Sequence, residues 1–304
     1  MQKSAKGLLP ILTRFQNGLA IILLSLVFFG CAVKHTRRIA KSQVPPPPQV
    51  ATVRELVGRI NSQVKAVNTL TATVDLAPTA GSVYSGVIKQ YHDVKGFILV
   101  KRPDWIRMQG QAPVVRTDIF DMASNGKRFS LYIPSKQKFY VGPTSLEKPS
   151  KNALENLRPQ HIVDALLLQT LDTAKGCYFR EEAENGPERD YVIVELASCA
   201  PGELSLKRKI WFDRSDLEIS RVQLYGAHGE YLEDIHYSNY QDFNGVHYPS
   251  MIAIHRPVED YSLAITIQQA TFNQPIPASK FTLSKPPNAQ LIDLGSPGQA
   301  GGSP

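Results

Sequence analysis

The chain has no acidic residue before Glu55, although Lys3, Lys6 and Arg14 are basic over the same stretch. Its longest apolar run, residues 19–29, falls short of the ~20 residues that a transmembrane helix needs and has the length of a signal-peptide core. Three cysteines and seven histidines are scattered, with no Cys-x-x-Cys and no His-x-x-x-His, so no metal-ligand spacing is present. Gly-x-Ser-x-Gly and Gly-rich phosphate loops are also missing. Glu181-Glu182 and Glu259-Asp260 are paired acids, but neighbouring strand residues point to opposite faces. His228, in Gly226-Ala-His-Gly229, reads as a turn residue rather than a general base. The expectation is a protein that is not an enzyme, with no metal and no cofactor. The formal charge of +7 falls to +4 without the three basic residues of the first 30, which gives nucleic-acid binding little support.

The apolar run ends in Phe28-Phe29-Gly30-Cys31, which resembles the bacterial lipobox: a small residue directly before a cysteine that receives diacylglycerol. Phe28 departs from the usual Leu. Residues 1–30 are therefore expected to be a lipoprotein signal peptide and Cys31 the lipid attachment point; an uncleaved anchor with an incidental cysteine is the alternative. Either way the chain is held at a membrane, outside the cytoplasm. Residues 31–50 read as a tether, in which Pro45 to Pro48 favour a stiff polyproline II spacer. A cluster of Lys34, His35, Arg37, Arg38 and Lys41 lies beside the lipid site, either solvated or against anionic head groups. Residues 51–294 form the folded domain, and 295–304, rich in Gly, Ser and Pro, a disordered tail.

Within the domain, Val53, Leu56, Val57, Ile60, Val64 and Val67 fall at helical spacing. Five or six strand-like runs follow, and then a strongly apolar stretch, His161 to Leu171, reads as a second helix. Six or so further strands run from Tyr178 to Ile267, punctuated by Tyr248-Pro249 and Arg256-Pro257. Cys177 and Cys199 flank a hairpin-like stretch; centred at Glu188, it would place them opposite each other as a disulfide, the alternative being two small buried thiols. Sequential strands with short turns predict an antiparallel meander large enough to curl. The fold class is α+β: an unclosed barrel with about two helices as a lid over its concave face. That space can be a greasy cavity or a fully packed core; pattern alone does not choose.

Several short motifs are similar to those of the LolA/LolB lipoprotein carriers of the Gram-negative periplasm. Leu99-Val-Lys-Arg-Pro103, Ser124-Asn-Gly-Lys127 with Leu131-Tyr-Ile-Pro134, and Ser279-Lys-Phe-Thr-Leu-Ser-Lys-Pro-Pro287 resemble the soluble carrier. Asp104-Trp-Ile-Arg107 leading to Ala112-Pro-Val-Val115 resembles the membrane-anchored receptor. The resemblance covers about residues 50 to 295, in order. It implies an unclosed barrel with a helical lid and a cavity for the acyl chains of lipoproteins or lipids in transit.

Residue by residue, it implies that Arg102 bonds lid backbone and holds the empty cavity shut; a solvated arginine before a turn proline is the alternative. Pro113, Val114 and Val115 match a protruding loop whose apolar tip meets the membrane, although Val is smaller than the family's Leu and an ordinary strand start is the alternative. Phe97, Leu99, Trp105, Phe120, Phe129, Leu166, Leu167 and Leu168 are candidates for the cavity lining. The implied partners are the outer membrane, through the anchor, and lipoprotein or lipid acyl chains, with a soluble periplasmic carrier as donor; Ala32 after the lipid cysteine agrees with outward sorting. A different role on the same fold is an envelope scaffold or sensor that binds a protein partner.

Overall fold

Alternation along the strands decides which face the molecule buries. Leu70, Ala72, Val74 and Leu76 are buried on β1 (Thr69–Ala80), while Thr71, Thr73 and Asp75 between them are not. Ile106 and Met108 do the same on β4 (Trp105–Gln111), as do Leu263, Ile265 and Ile267 on β14 (Tyr261–Phe272). One apolar face with a polar reverse is the signature of an antiparallel sheet packed on one side only. The computed structural model describes residues 47–81, 89–90, 94–144, 158–174, 177–186, 188–200 and 203–295. The expected signal peptide, Cys31, the tether through residue 46 and the tail from residue 296 lie outside them.

The remaining strands are β2 (Lys89–Gln90), β3 (Val94–Lys101), β5 (Asp118–Asn125), β6 (Arg128–Ile133), β7 (Lys138–Pro143), β8 (Tyr178–Asn185), β9 (Glu188–Ala200), β10 (Glu203–Asp213), β11 (Ile219–Tyr225), β12 (Tyr231–Phe243), β13 (Val246–Arg256) and β15 (Gln290–Asp293). They form one sheet in the order β15-β7-β6-β5-β4-β3-β1-β14-β13-β12-β11-β10-β9-β8, with β2 beside β1. All pairings are antiparallel except β15 on β7. The path has two ends, so the barrel is unclosed. The exposed edge, β8, carries Arg180, Glu181, Glu182 and Glu184, charges that discourage pairing with another chain.

Helix α1 (Val53–Ala66) starts at a capping box, with the Thr52 side chain accepting from the Glu55 N–H and the Glu55 carboxylate from the Thr52 N–H at 2.6 Å. It buries Leu56, Val57, Ile60 and Val64. Helix α2 (Pro159–Leu166) is shorter than the expected His161–Leu171. Leu167 leaves helical geometry and residues 167–171 run on without helix, because polar side chains outside the helix take up their carbonyls, as described below.

The sheet is rolled around these helices. Arg102, after β3, and Arg208, on β10, both bond the lid segment at residues 168–170. Six strand-to-strand steps separate their strands, roughly 29 Å in a flat sheet at ~4.8 Å per step. Two side chains can meet on three consecutive residues only if the sheet curls.

Two further differences from the sequence reading have local causes. Pro249 lies inside β13 rather than between strands: it pairs with Tyr240, and β14 joins β13 only from Met251 onward, so its missing N–H falls where one side has no ladder partner. The β8–β9 hairpin pairs Asn185 with Glu188, so its centre lies between residues 186 and 187 and Leu196 donates to the Cys177 carbonyl. Ala197 is skipped in the pairing of β9 with β10, and Cys199 is disulfide-bonded to Cys177 with Cα atoms 5.8 Å apart. Replacing both cysteines with serine is expected to cost about 3 kcal/mol, the loop entropy of a 22-residue separation, measured by urea unfolding.

Candidate functional site

The lid is α2 with the extended residues after it. Eight residues make a marginal helix in water, so its stability has to come from packing. Ile162, Val163, Ala165, Leu166, Leu167, Leu168 and Leu171 are all buried against the sheet's inner face.

A helix leaves its last four carbonyls without intrahelical partners, and here those of Val163, Ala165 and Leu166 find partners. The Leu167 N–H donates to Val163 O at 2.7 Å. Tyr237 Oη donates to Ala165 O at 2.9 Å and Tyr248 Oη to Leu166 O at 2.6 Å. Arg102 Nη2 reaches Leu168 O at 2.9 Å. Arg208 Nη1 and Nη2 reach Gln169 O and Thr170 O, both at 2.9 Å. Asn61, on α1, exchanges two bonds with the Leu171 backbone, at 2.9 and 3.3 Å.

Arg102 also ties the two helices together, since its Nε donates to Val67 O, at the C-terminal cap of α1, at 2.7 Å. Among the described residues both acceptors of the Arg102 side chain are backbone carbonyls, and burial draws its pKa below the usual arginine value. Arg208 is 3 % exposed and its Nε pairs with Glu195, which Lys207 also contacts at 2.9 Å. Sequence reading missed Arg208, although it shares a strand phase with buried Ile210 and Phe212.

The other end of α2 rests on a buried ionic cluster. Arg256 bonds Glu259 through Nη2 at 2.6 Å and Nε at 3.1 Å, and Glu233 through Nη1 at 3.1 Å. His161, on α2, stands 3.7 Å from Glu233 and 4.0 Å from Glu259. Gln160 Nε2 donates to Asp164 Oδ1 at 3.0 Å. Burial outweighs the pull of Arg256 on Glu233, whose carboxyl is pushed up to about 8. Burial also raises Asp164 to about 6 and drives His161 down to about 3. His161 Nε2, Glu233 Oε1 and Tyr261 Oη are buried with no hydrogen-bond partner among the described residues. Each such atom costs about 1–3 kcal/mol.

These shifts set a pH profile. A carboxyl raised in the folded state contributes stability below its unfolded value, which is lost as pH climbs to the folded one. His161, lowered in the folded state, loses stability only below its ordinary value of 6.5. Between pH 6.5 and 8 Glu233 is therefore the one group of the three still changing. The expected loss over that interval is on the order of 2 kcal/mol at 1.36 kcal/mol per pH unit. Glu233→Gln should flatten it in urea unfolding at the two pH values.

Little space separates the described lid residues from the sheet. A void of about 10 Å³, room for one water, remains between lid and sheet, lined by Val67, Arg102, Leu166, Leu168, Tyr237 and Tyr248 among others. Of the expected lining, Phe129 is buried, Phe120 packs on the core from its edge, and Leu166, Leu167 and Leu168 are buried. Phe97, Leu99 and Trp105 are corrections, because they face outward. Val94, Gly96, Ile98 and Val100 take the inner phase of β3, leaving Phe97 45 % exposed, and Trp105 packs edge-on against Phe281 outside β4. Phe97 and Leu99 border an outer groove of about 360 Å³ with Thr71, Thr73, Arg107 and Gln109. Pro113, Val114 and Val115 stand exposed at the β4–β5 hairpin, with Val114 at 89 %.

No protein-family model matches the chain, and no curated protein matches it. Among solved structures it is similar to a DUF1329 family protein from Desulfovibrio piger, at 14 % identity and a TM-score of 0.46, over 75 % of this chain and 95 % of that one. It is similar to a LolA superfamily protein from Nitrosomonas europaea, at 13 % identity and 0.46, over 77 % and 99 %. A putative outer membrane lipoprotein-sorting protein domain from Vibrio parahaemolyticus matches at 12 % identity and 0.43, over 75 % and 94 %.

Proposed function

We propose that this is a lipoprotein of the outer membrane, anchored through Cys31 and facing the periplasm, that shelters acyl chains of lipoproteins or lipids beneath its lid during lipoprotein localisation. The observation that carries the reading is the way the lid is held. Apolar side chains supply its contact with the sheet, whereas its backbone is fixed by side-chain donors: Arg102, Arg208, Tyr237, Tyr248 and Asn61. Such bonds are each worth about 1 kcal/mol net, and the buried unpartnered atoms on the ionic side count against closure. A lid attached in this way can separate from an inner face that remains apolar and intact. Acyl chains would then replace Leu166, Leu167 and Leu168 against the sheet, gaining about 0.8 kcal/mol per buried methylene. Release requires the reverse exchange, so moderate affinity suits the task. No covalent step is needed. The exposed Val114-Val115 tip is suited to touching the acyl boundary of the membrane, and a soluble periplasmic carrier is the natural donor of cargo.

The test is lipid extraction from the purified protein, followed by titration with a fluorescent apolar probe. Recovered lipid, or a saturable fluorescence rise that acyl chains compete away, supports the carrier. A second reading, an envelope scaffold or sensor with a protein partner, is favoured by the small volume, about 10 Å³, of the void between the described lid residues and the sheet. It predicts no lipid, no probe response, and lipoprotein sorting unchanged by deletion.

A further inference from the structure

The side chains that meet the carbonyls of Ala165, Leu166, Leu168, Gln169 and Thr170 share one chemical property: they are donors. Around the small void, Arg102, Tyr237 and Tyr248 all give their protons to lid or helix-end carbonyls, and the Gln63 amide is the other polar side chain of the lining. Arg208, from the opposite wall, gives two more. Glu195 holds Arg208, and Glu233 and Glu259 hold Arg256. Among the described residues no carboxylate pairs with Arg102. Lifting the lid would therefore strip two guanidiniums and two phenols of their lid carbonyls in an apolar surround, leaving Arg102 only its bond to Val67 O, and an unpaired buried donor is costly, most of all a charged one. Whatever occupies the opened space has to bring oxygen acceptors to that spot.

Resting on the acyl-carrier reading, we infer that Arg102 and Arg208, with Tyr237 and Tyr248, form a head-group site for the oxyanion end of an acyl ligand, a carboxylate or a phosphate monoester, which takes over the bonds made to the lid carbonyls. Binding and opening are then one exchange: lid oxygens leave as ligand oxygens arrive. An anion is favoured over a neutral ester or alcohol because the mouth retains positive charge. Arg208 is balanced by Glu195, while Arg102 and the half-exposed Lys207 are left in excess. Guanidinium suits the role, since its planar fork can give two parallel bonds to one carboxylate or phosphate.

The experiment uses the full chain in nanodiscs of zwitterionic lipid and three photoreactive C16 probes that share one diazirine-bearing chain: hexadecanoate, hexadecyl phosphate and hexadecanol. Labelling is mapped by peptide mass spectrometry to residues 159–171 and to β12 and β13. One or both anionic probes should label these segments about tenfold more than hexadecanol, the discrimination expected of a charge-assisted bond, and which of them does so identifies the head group. Arg102→Gln should bring that ratio close to one, even if a loosened lid raises labelling by every probe. Arg208→Gln combined with Glu195→Gln, which leaves no buried charge behind, should lower the ratio as well. Equal labelling by anion and alcohol in the unaltered chain overturns the head-group site while leaving the acyl carrier standing. No labelling of these segments by any probe overturns both.

Discussion

Arg256→Ala should lower stability by about 3–5 kcal/mol, the largest effect expected of any single substitution outside the apolar core. Removing this guanidinium leaves Glu233 and Glu259, 0 % and 5 % exposed at their side chains, facing His161 with no lysine or other arginine among the described residues paired to either. The loss comes from stranded carboxyl groups rather than from three missing hydrogen bonds. It should therefore shrink in acid, where Glu233 is protonated, and should largely vanish when Glu233→Gln and Glu259→Gln are added to Arg256→Met. Urea unfolding at pH 4.5 and pH 8 measures this. An equal loss at both pH values would show that packing of the arginine stem matters more than its charge.

Arg208→Ala is expected to cost about 3 kcal/mol, because Glu195 is left buried with only the half-exposed Lys207 as partner. Its second consequence separates it from Arg256→Ala. Gln169 and Thr170 lose both of their side-chain donors, so the segment after α2 detaches first. Amides near residues 167–171 should exchange at least tenfold faster than in the unaltered chain, while those of β12 and β13 follow the global loss alone. Arg102→Ala should loosen the same segment at lower cost to global stability, since it strands carbonyls and no carboxylate.

How much of this was legible in the sequence depends on what set each residue's direction. The curled antiparallel meander and the two apolar helices follow from alternation and turn residues, and the structure has them; the pairings of β1 with β14 and of β15 with β7 lie outside that reading. Arg102 was reached by resemblance, with Pro103 marking a turn. Phe97 and Leu99 were misplaced because two phases of β3 compete: one holds Val94, Ile98 and Val100, the other two large apolar residues. Gly96 weakens the first phase, but Lys95 and Lys101 flank the second and mark it as the solvent side. Trp105 shares its phase with Arg107 and Gln109 and follows the same rule.

The converse rule would have found the residues that were missed. Arg208 falls in phase with Ile210 and Phe212, Glu233 with Ile235 and Tyr237, and Arg256 with Ile252 and Ile254. A charged residue in the buried phase of a strand must have an interior partner. Which partner it has depends on long-range closure of the sheet, and periodicity does not encode that. The shortness of α2 was hidden for the same reason, since its last turn is replaced by side chains from β10, β12, β13 and the turn after β3.

Native-state hydrogen exchange on the unaltered protein is the most direct test of a separable lid. The account predicts that amides of residues 163–171 exchange through a local opening several kcal/mol easier than the global unfolding reported by β12 and β13, and that a saturating acyl ligand changes exchange in this segment first. Exchange of residues 163–171 only with global unfolding, indifferent to acyl ligand, would contradict it.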